Sequence, residues 1–163
     1  MKHLNRVTFG ALIVMVVLVG SLTAAQGHVM QNLAGTTWGA APPFLPPGAQ
    51  IAVLSGNPMA AVPYAVRLRF PANYTIPPHS HPTDENVVIV SGAFHMGAGE
   101  KLNKATAQTL GVGGYALVPA GFNHFAYTTN EETTVVLYGI GPVDFKYVNP
   151  SDDPRTASKQ TRK

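Results

Sequence analysis

Hydrophobic positions along the central part of the chain follow the spacing of β-strands. Val66 and Leu68 alternate with two arginines, so apolar and basic side chains lie on opposite faces of one extended segment. Residues 87–90 are continuously apolar, which is typical of a strand buried on both faces. The sequence therefore predicts some strands that are buried on one face and others that are buried on both faces.

Further apolar runs are separated by turn signals rich in glycine, proline and asparagine. Strands are predicted over residues 51–54, 64–70, 85–91, 115–118 and 133–138. Residues 105–110 fit either a single helical turn or a strand. No long stretch beyond the N-terminal segment has the helical period. Short strands at this spacing predict an all-β fold, a sandwich or a barrel.

The first 25 residues have the layout of a signal peptide. Lys2 and Arg6 precede an apolar stretch over residues 9–19, and small residues follow at 23–25. We expect cleavage after Ala25 or Gly27, export to the periplasm or beyond, and no membrane association afterwards. An uncleaved N-terminal anchor is the alternative, although the apolar stretch is short for a membrane span of about 20 residues.

Three further segments follow the predicted signal peptide. Residues 26–49 form a proline-rich arm, which either packs along the domain through Trp38 and Phe44 or reaches across a dimer. Residues 50–148 contain the predicted strands and form the β-barrel domain. Residues 149–163 are polar, and we expect disorder there because little can be buried.

Composition and charge exclude several classes of function. The 163 residues suit one domain, and the absence of cysteine excludes disulfides, thiolate metal sites and cysteine nucleophiles. The net charge of +3 comes from the two ends of the chain, since residues 26–150 hold five basic and six acidic side chains. A basic binding face is therefore not expected, and neither is a nucleic-acid partner.

Two histidines and a glutamate form the first candidate constellation. His79 and His81 share one face if the segment is a strand, and Glu85 has the same parity. Two imidazoles and a carboxylate suit a divalent transition metal. The alternative is a pair of exposed strand histidines. A second segment adds His124 shortly after a Pro-x-Gly turn, which would aim it from a neighbouring strand.

Together these segments resemble the two sequence motifs of the cupin superfamily. The first motif is Gly-x5-His-x-His-x3–4-Glu-x6-Gly, and it matches here from His79 to Gly92. Asn73 takes the place of the leading glycine, and asparagine tolerates the left-handed backbone that glycine adopts there. The second motif, Gly-x5-Pro-x-Gly-x2-His-x3-Asn, matches from Gly113 to His124, with Thr128 at the asparagine position.

The resemblance, which is strongest to exported single-domain bacterial cupins, implies a fold and a metal site. The fold is a small jelly-roll-like barrel, a double-stranded β-helix that often forms a homodimer. The site would hold one divalent metal (Fe, Mn, Ni, Cu or Zn). Its implied ligands are His79, His81, Glu85 and His124, with Glu85 also the catalytic group.

Two functions are compatible with that resemblance. One is a metal-dependent, dioxygenase-like enzyme that acts on a small organic molecule. The other is a non-catalytic module that binds or senses a small ligand beside the metal. Four more side chains are candidates for the pocket: His95, Phe122, Tyr127 and Tyr138. His95 could act as an acid–base group, or it could be an ordinary surface or core histidine.

Overall fold

The computed structural model describes residues 28–156, so the predicted signal peptide and residues 157–163 lie outside the described range. Eleven strands follow one another within it: β1 Gly39–Ala40, β2 Gln50–Gly56, β3 Pro63–Phe70, β4 Thr75–Ser80, β5 Glu85–Ser91, β6 Phe94–Ala98, β7 Gln108–Leu110, β8 Tyr115–Val118, β9 His124–Tyr127, β10 Thr133–Ile140 and β11 Lys146–Tyr147. Short 3-10 helices cover Leu33–Gly35, Lys104–Thr106 and Pro150–Asp152. Between residues 28 and 156, no helix has the length and apolar character needed to cross a membrane.

The strands form two antiparallel sheets. One has the order β1-β2-β3-β10-β5-β8 and the other β11-β4-β9-β6-β7. The all-β prediction is confirmed, and strands β5 and β8 have the predicted bounds. Residues 105–110 are predicted to form either a helical turn or a strand, and the structure contains both. A 3-10 helix ends at Thr106, and strand β7 begins at Gln108.

The hydrophobic core lies between the two sheets. Phe70 of β3 is 2% exposed, and its ring stacks on Phe94 of β6 with centroids 5.2 Å apart. Phe44 closes the core from the N-terminal arm and stacks on Phe145 at 5.0 Å. Because both sheets contribute inward side chains at alternate positions, any inward polar group is surrounded by apolar ones.

Asn73 has the left-handed conformation that the first motif predicts at its leading position. Its φ is +58°, and it is the one non-glycine residue with positive φ among residues 28–156. Thr128 secures this turn, because its hydroxyl donates to the Pro71 carbonyl at 2.6 Å and accepts from the Tyr74 amide at 2.9 Å. The threonine at the motif's asparagine position therefore fastens β9 to the start of β4.

The N-terminal arm covers part of the outer face of the first sheet. The Arg67 guanidinium donates to the Asn32 carbonyl at 3.3 Å, and Arg67 is 8% exposed. Trp38 lies against the Arg69 guanidinium, 4.0 Å from its ring centroid. Both arginines point outward as their alternation predicts. Arg67 is buried rather than solvated, because carbonyl and hydroxyl groups of the arm accept its hydrogen bonds.

The start of the predicted polar tail is structured. Residues 150–152 form a 3-10 helix, capped by the Asn149 side chain, which accepts from the Ser151 amide at 3.2 Å. Arg155 then forms ion pairs with Asp144 and Asp153. Polar composition predicts disorder here, but Arg155 attaches this segment to the barrel through the Asp144 carboxylate and the Phe145 carbonyl.

Candidate metal centre

Three histidines converge on the inner side of the second sheet. His79 lies near the end of β4, and His124 begins β9 directly opposite it in the antiparallel register. His81 follows β4 by one residue. Since residues two apart on an extended segment share a face, the His-x-His spacing puts both imidazoles on the side that faces His124.

All three imidazoles are buried and lie close together. His79 is 1% exposed, and His81 and His124 are each 4% exposed. One ring nitrogen from each histidine lies within 4.8 Å of the other two. A buried group of this kind can hold a metal ion, whereas the alternative of exposed strand histidines is excluded by the burial.

Backbone carbonyls fix which nitrogen of each ring is free. The Nδ1 atoms of His79, His81 and His124 lie 2.7, 3.1 and 3.3 Å from the carbonyls of Pro77, Asp144 and Phe122. A carbonyl only accepts, so each Nδ1 carries the proton and donates. In a neutral ring this leaves the Nε2 lone pair available to a metal, the arrangement in which a hydrogen bond sets the tautomer of a ligating histidine.

Glu85 approaches the histidines from the first sheet, at the start of β5. It is 6% exposed, and its Oε2 lies 3.5 Å from His81 Nε2. Apart from that ion-pair contact, His81 Nε2 is a buried nitrogen without a hydrogen-bond partner among the described residues. A buried nitrogen without a hydrogen bond is stabilised by a bound ligand. Three imidazoles with a carboxylate nearby suit a divalent transition metal as that ligand. The role of Glu85 as a metal ligand stays a prediction.

Electrostatics keep two of the three histidines neutral. Burial, together with the neighbouring histidines, holds the pKa of His79 well below its ordinary value. Burial and His81 also lower the pKa of His124. Both rings are consequently in the form that binds metals, because a metal binds the deprotonated nitrogen.

His81 and Glu85 are shifted in opposite directions as an ion pair. Burial opposes the charge on His81, but the Glu85 carboxylate outweighs it and raises the pKa of the imidazole. Burial likewise opposes the charge on Glu85, and His81 outweighs it and lowers the pKa of the carboxyl. A metal binds only the deprotonated Nε2 of His81, so we expect metal affinity to fall as the pH falls.

Phe145 is a site residue that the sequence motifs do not indicate. Its ring stacks on His79 with centroids 4.1 Å apart and an interplanar angle of 4°, and it meets His81 edge-on at 4.6 Å. The preceding residue, Asp144, supplies the carbonyl that receives His81 Nδ1–H. These residues lie at least twenty positions beyond His124, and no spacing in the sequence connects them to it.

Two of the four pocket candidates lie away from the three histidines. His95 and Tyr127 are directly opposite each other on β6 and β9, and their rings stack at 4.6 Å. Met96 and Ala126, one position along, pack in or against the core. Because side chains alternate along a strand, His95 and Tyr127 are on the outer face of the sheet.

The other two candidates are divided between a cavity and the surface. Phe122 lines a cavity of about 330 Å³ together with His124, Met96 and Val118. Tyr138 is 40% exposed and follows the core residue Leu137, so it faces outward from the first sheet. The structure thus places Phe122 in the same cavity lining as His124 and leaves Tyr138 apart from the three histidines.

Sequence comparison places this site in a family of known domains. The family model of the ChrR cupin-like domain matches residues 26–144. Germin-like protein 9-3 from Oryza sativa subsp. japonica is 32% identical over 94 residues, which cover 57% of this chain and 42% of that protein. The chain thus spans less than half the length of the curated relatives that it matches.

Solved structures share the fold at low sequence identity. The polyketide cyclase RemF from Streptomyces resistomycificus superposes with a TM-score of 0.59 and 16% identity, over 80% of this chain and 93% of that one. KdgF from Halomonas sp. gives a TM-score of 0.53 and 20% identity, over 71% of this chain and 96% of that one. A likeness at this identity establishes the architecture and leaves the chemistry open.

Proposed function

This chain belongs to the ChrR cupin-like domain family, which confirms the cupin resemblance of its motifs, and on that premise we propose that it is a metal-dependent oxygenase of small organic molecules. The proposed ligands are His79, His81 and His124, with Glu85 completing the set. The observation that carries the metal assignment is the triple Nδ1–carbonyl contact. Three rings are fixed with the same nitrogen free, and those rings converge.

The chemistry of the proposed site follows from its donor set. A divalent metal bound there would polarise a substrate oxygen, and Fe, Mn, Ni or Cu would add redox chemistry. Glu85 is the residue suited to proton transfer, because it is a buried carboxylate whose Oε2 lies beside the histidines, 3.5 Å from His81 Nε2, and can accept a proton from a substrate. His79 and His124 remain neutral and orient the reacting centre.

A partly apolar cavity supports an organic substrate. The 330 Å³ cavity beside His124 is lined by apolar side chains such as Met96, Leu117 and Phe122 and by the polar Thr106 and Gln108, and no charged side chain of the described residues lines it. Its volume lies at the lower end of small-molecule sites. An uncharged compound with one polar end fits this lining better than a charged sugar or phosphate does.

Oxygen consumption tests the catalytic proposal. Metal-loaded protein is screened in an oxygen electrode against diketones, flavonols, catechols and thiols, with Fe, Mn, Ni and Cu in turn. We expect one combination to consume O2, and Glu85→Gln to lower the rate about 100-fold or more, within the contribution of a positioned acid–base group. Glu132→Gln is the matched control, since the Glu132 side chain is 58% exposed on the barrel surface. Full activity in Glu85→Gln would contradict the assigned role.

A binding or sensing module is the second candidate function, and the tight interior favours it. The cavity that touches His79, Glu85 and His124 has a volume of only about 20 Å³, room for roughly one water molecule. That cavity alone has no room for an organic substrate, and a metal enclosed in it suits ligand detection. Micromolar binding of a compound without turnover would identify this module.

Export is a further part of the proposal, and it rests on the charge and hydropathy order of the first 25 residues. We expect protein recovered from the periplasm or the medium to begin at Gln26 or His28. N-terminal sequencing decides between cleavage and anchoring. A product that begins at Met1 and sediments with membranes would favour the anchor.

A further inference from the structure

A C-terminal arginine forms a network beside the histidines, beyond the residues that the family model matches. Arg155 Nη1 donates to Asp144 Oδ1 at 2.7 Å, and its Nη2 donates to the Phe145 carbonyl at 2.7 Å. Its Nε and Nη2 also bind the Asp153 carboxylate, each at 2.8 Å. One guanidinium therefore holds the backbone and the side chain of two consecutive residues, Asp144 and Phe145.

Those two residues contact the histidines directly. The Asp144 carbonyl receives the Nδ1 proton of His81 at 3.1 Å. The Phe145 ring lies parallel to the His79 ring at 4.1 Å and edge-on to His81 at 4.6 Å. Hence any shift of this dipeptide turns the imidazole of His81 and removes the flat surface that holds His79.

We propose that Arg155 is a positioning residue of the metal centre, which it orients through the carbonyl of Asp144 and the ring of Phe145. The inference rests on the proposed metal site and not on catalysis. Groups that hold the second nitrogen of a ligating histidine set its ring orientation, and losing such a group lowers metal affinity 10- to 100-fold. Arg155 acts one contact further out, so the lower end of that range applies.

The exposure of the Arg155 side chain favours a role in orienting the histidines over a general contribution to folding stability. Its side chain is 33% exposed and that of Asp144 is 57% exposed. At such exposure the Arg155–Asp144 ion pair adds little to folding stability, and the Asp153 side chain, 18% exposed, pairs with Arg155 within the same terminal segment. Removal of Arg155 should thus change the geometry of the histidines more than it changes unfolding.

Cobalt titration of the full chain tests this separation. Co²⁺ affinity and the visible absorption spectrum of the Co²⁺ form are measured for wild type, Arg155→Ala and Arg155→Lys. We expect Arg155→Ala to bind about tenfold more weakly with a shifted spectrum, and Arg155→Lys to recover part of the affinity. Arg69→Ala is the matched control, because Arg69 is 31% exposed and pairs with Glu132 at 3.4 Å on the far face of the first sheet.

The outcomes distinguish this inference from the metal proposal. Wild-type affinity and spectrum in Arg155→Ala, with wild type itself binding Co²⁺, would overturn the role of Arg155 and leave the metal centre standing. An equal loss in Arg69→Ala would also overturn it, since the effect would then be general. A wild type that binds no Co²⁺ would overturn both proposals together. The melting temperature of each metal-free variant verifies that the barrel is folded.

Discussion

We expect the double substitution His79→Ala/His124→Ala to abolish metal binding and with it the stability that a bound metal would confer. Both rings are buried, and they are paired across β4 and β9 in the antiparallel register. A ligand that binds only the folded chain at 1,000 times its Kd stabilises it by about 4 kcal/mol. For a domain of this size that corresponds to a rise in melting temperature of roughly 15 °C. We expect this rise in wild type and none in the double variant.

The measurements are elemental analysis of purified protein and melting curves with and without added metal. His95→Ala is the matched control, because it removes an imidazole on the outer face of the same sheet, where His95 contacts Thr109 and Tyr127. It should retain the full metal content. Equal metal content in wild type and the double variant would show that the three histidines are not the site.

Gly92→Ala has the second-largest expected effect, on folding stability. Gly92 has a φ of +73°, and a Cβ there would lie 2.5 Å from the Glu132 carbonyl oxygen and 2.7 Å from Thr133 Oγ1. The left-handed backbone costs a non-glycine residue about 1–2 kcal/mol. Overpacking adds about 1–3 kcal/mol. We expect Gly92→Ala to lower the free energy of unfolding by about 3 kcal/mol in urea titrations.

Gly113→Ala isolates the backbone contribution. Gly113 has a φ of +81°, but a Cβ there meets nothing within 4 Å. Only the left-handed cost of about 1–2 kcal/mol applies. If both variants lose the same stability, the close approach of β10 to Gly92 has no energetic consequence and the account of this turn is wrong.

Local patterns were sufficient for the central strands. The apolar run of β5 ends at Ser91-Gly92 and that of β8 begins after Gly113-Gly114, so both bounds are visible in the sequence. Strand β4 is harder, because Pro77 and Pro78 lack the amide donor that a ladder needs. They are accommodated where the register between β4 and β9 shifts, between Ile76 and His79. That irregularity depends on the partner strand and is not encoded locally.

The candidate site divides in the same way. Spacing and motif bring His79, His81 and His124 together, since strand parity and a Pro-x-Gly turn act over a few residues. Phe145 and Arg155 reach the site only through tertiary contacts, and neither belongs to a motif. His95 and Tyr127 are the sequence neighbours of Met96 and Ala126, whose side chains face the core. Because side chains alternate along a strand, His95 and Tyr127 point to the outer face. To decide which side chains face inward, the bounds of β6 and β9 must be known, and the sequence patterns do not predict these two strands.

Anomalous diffraction from crystals grown with zinc tests the metal centre most directly. We expect one strong peak per chain, bonded to Nε2 of His79, His81 and His124 at about 2.0–2.1 Å. Each Nδ1 should keep its backbone carbonyl. A zinc peak elsewhere on the chain, or coordination through Nδ1 with the carbonyl contacts broken, would contradict the central claim.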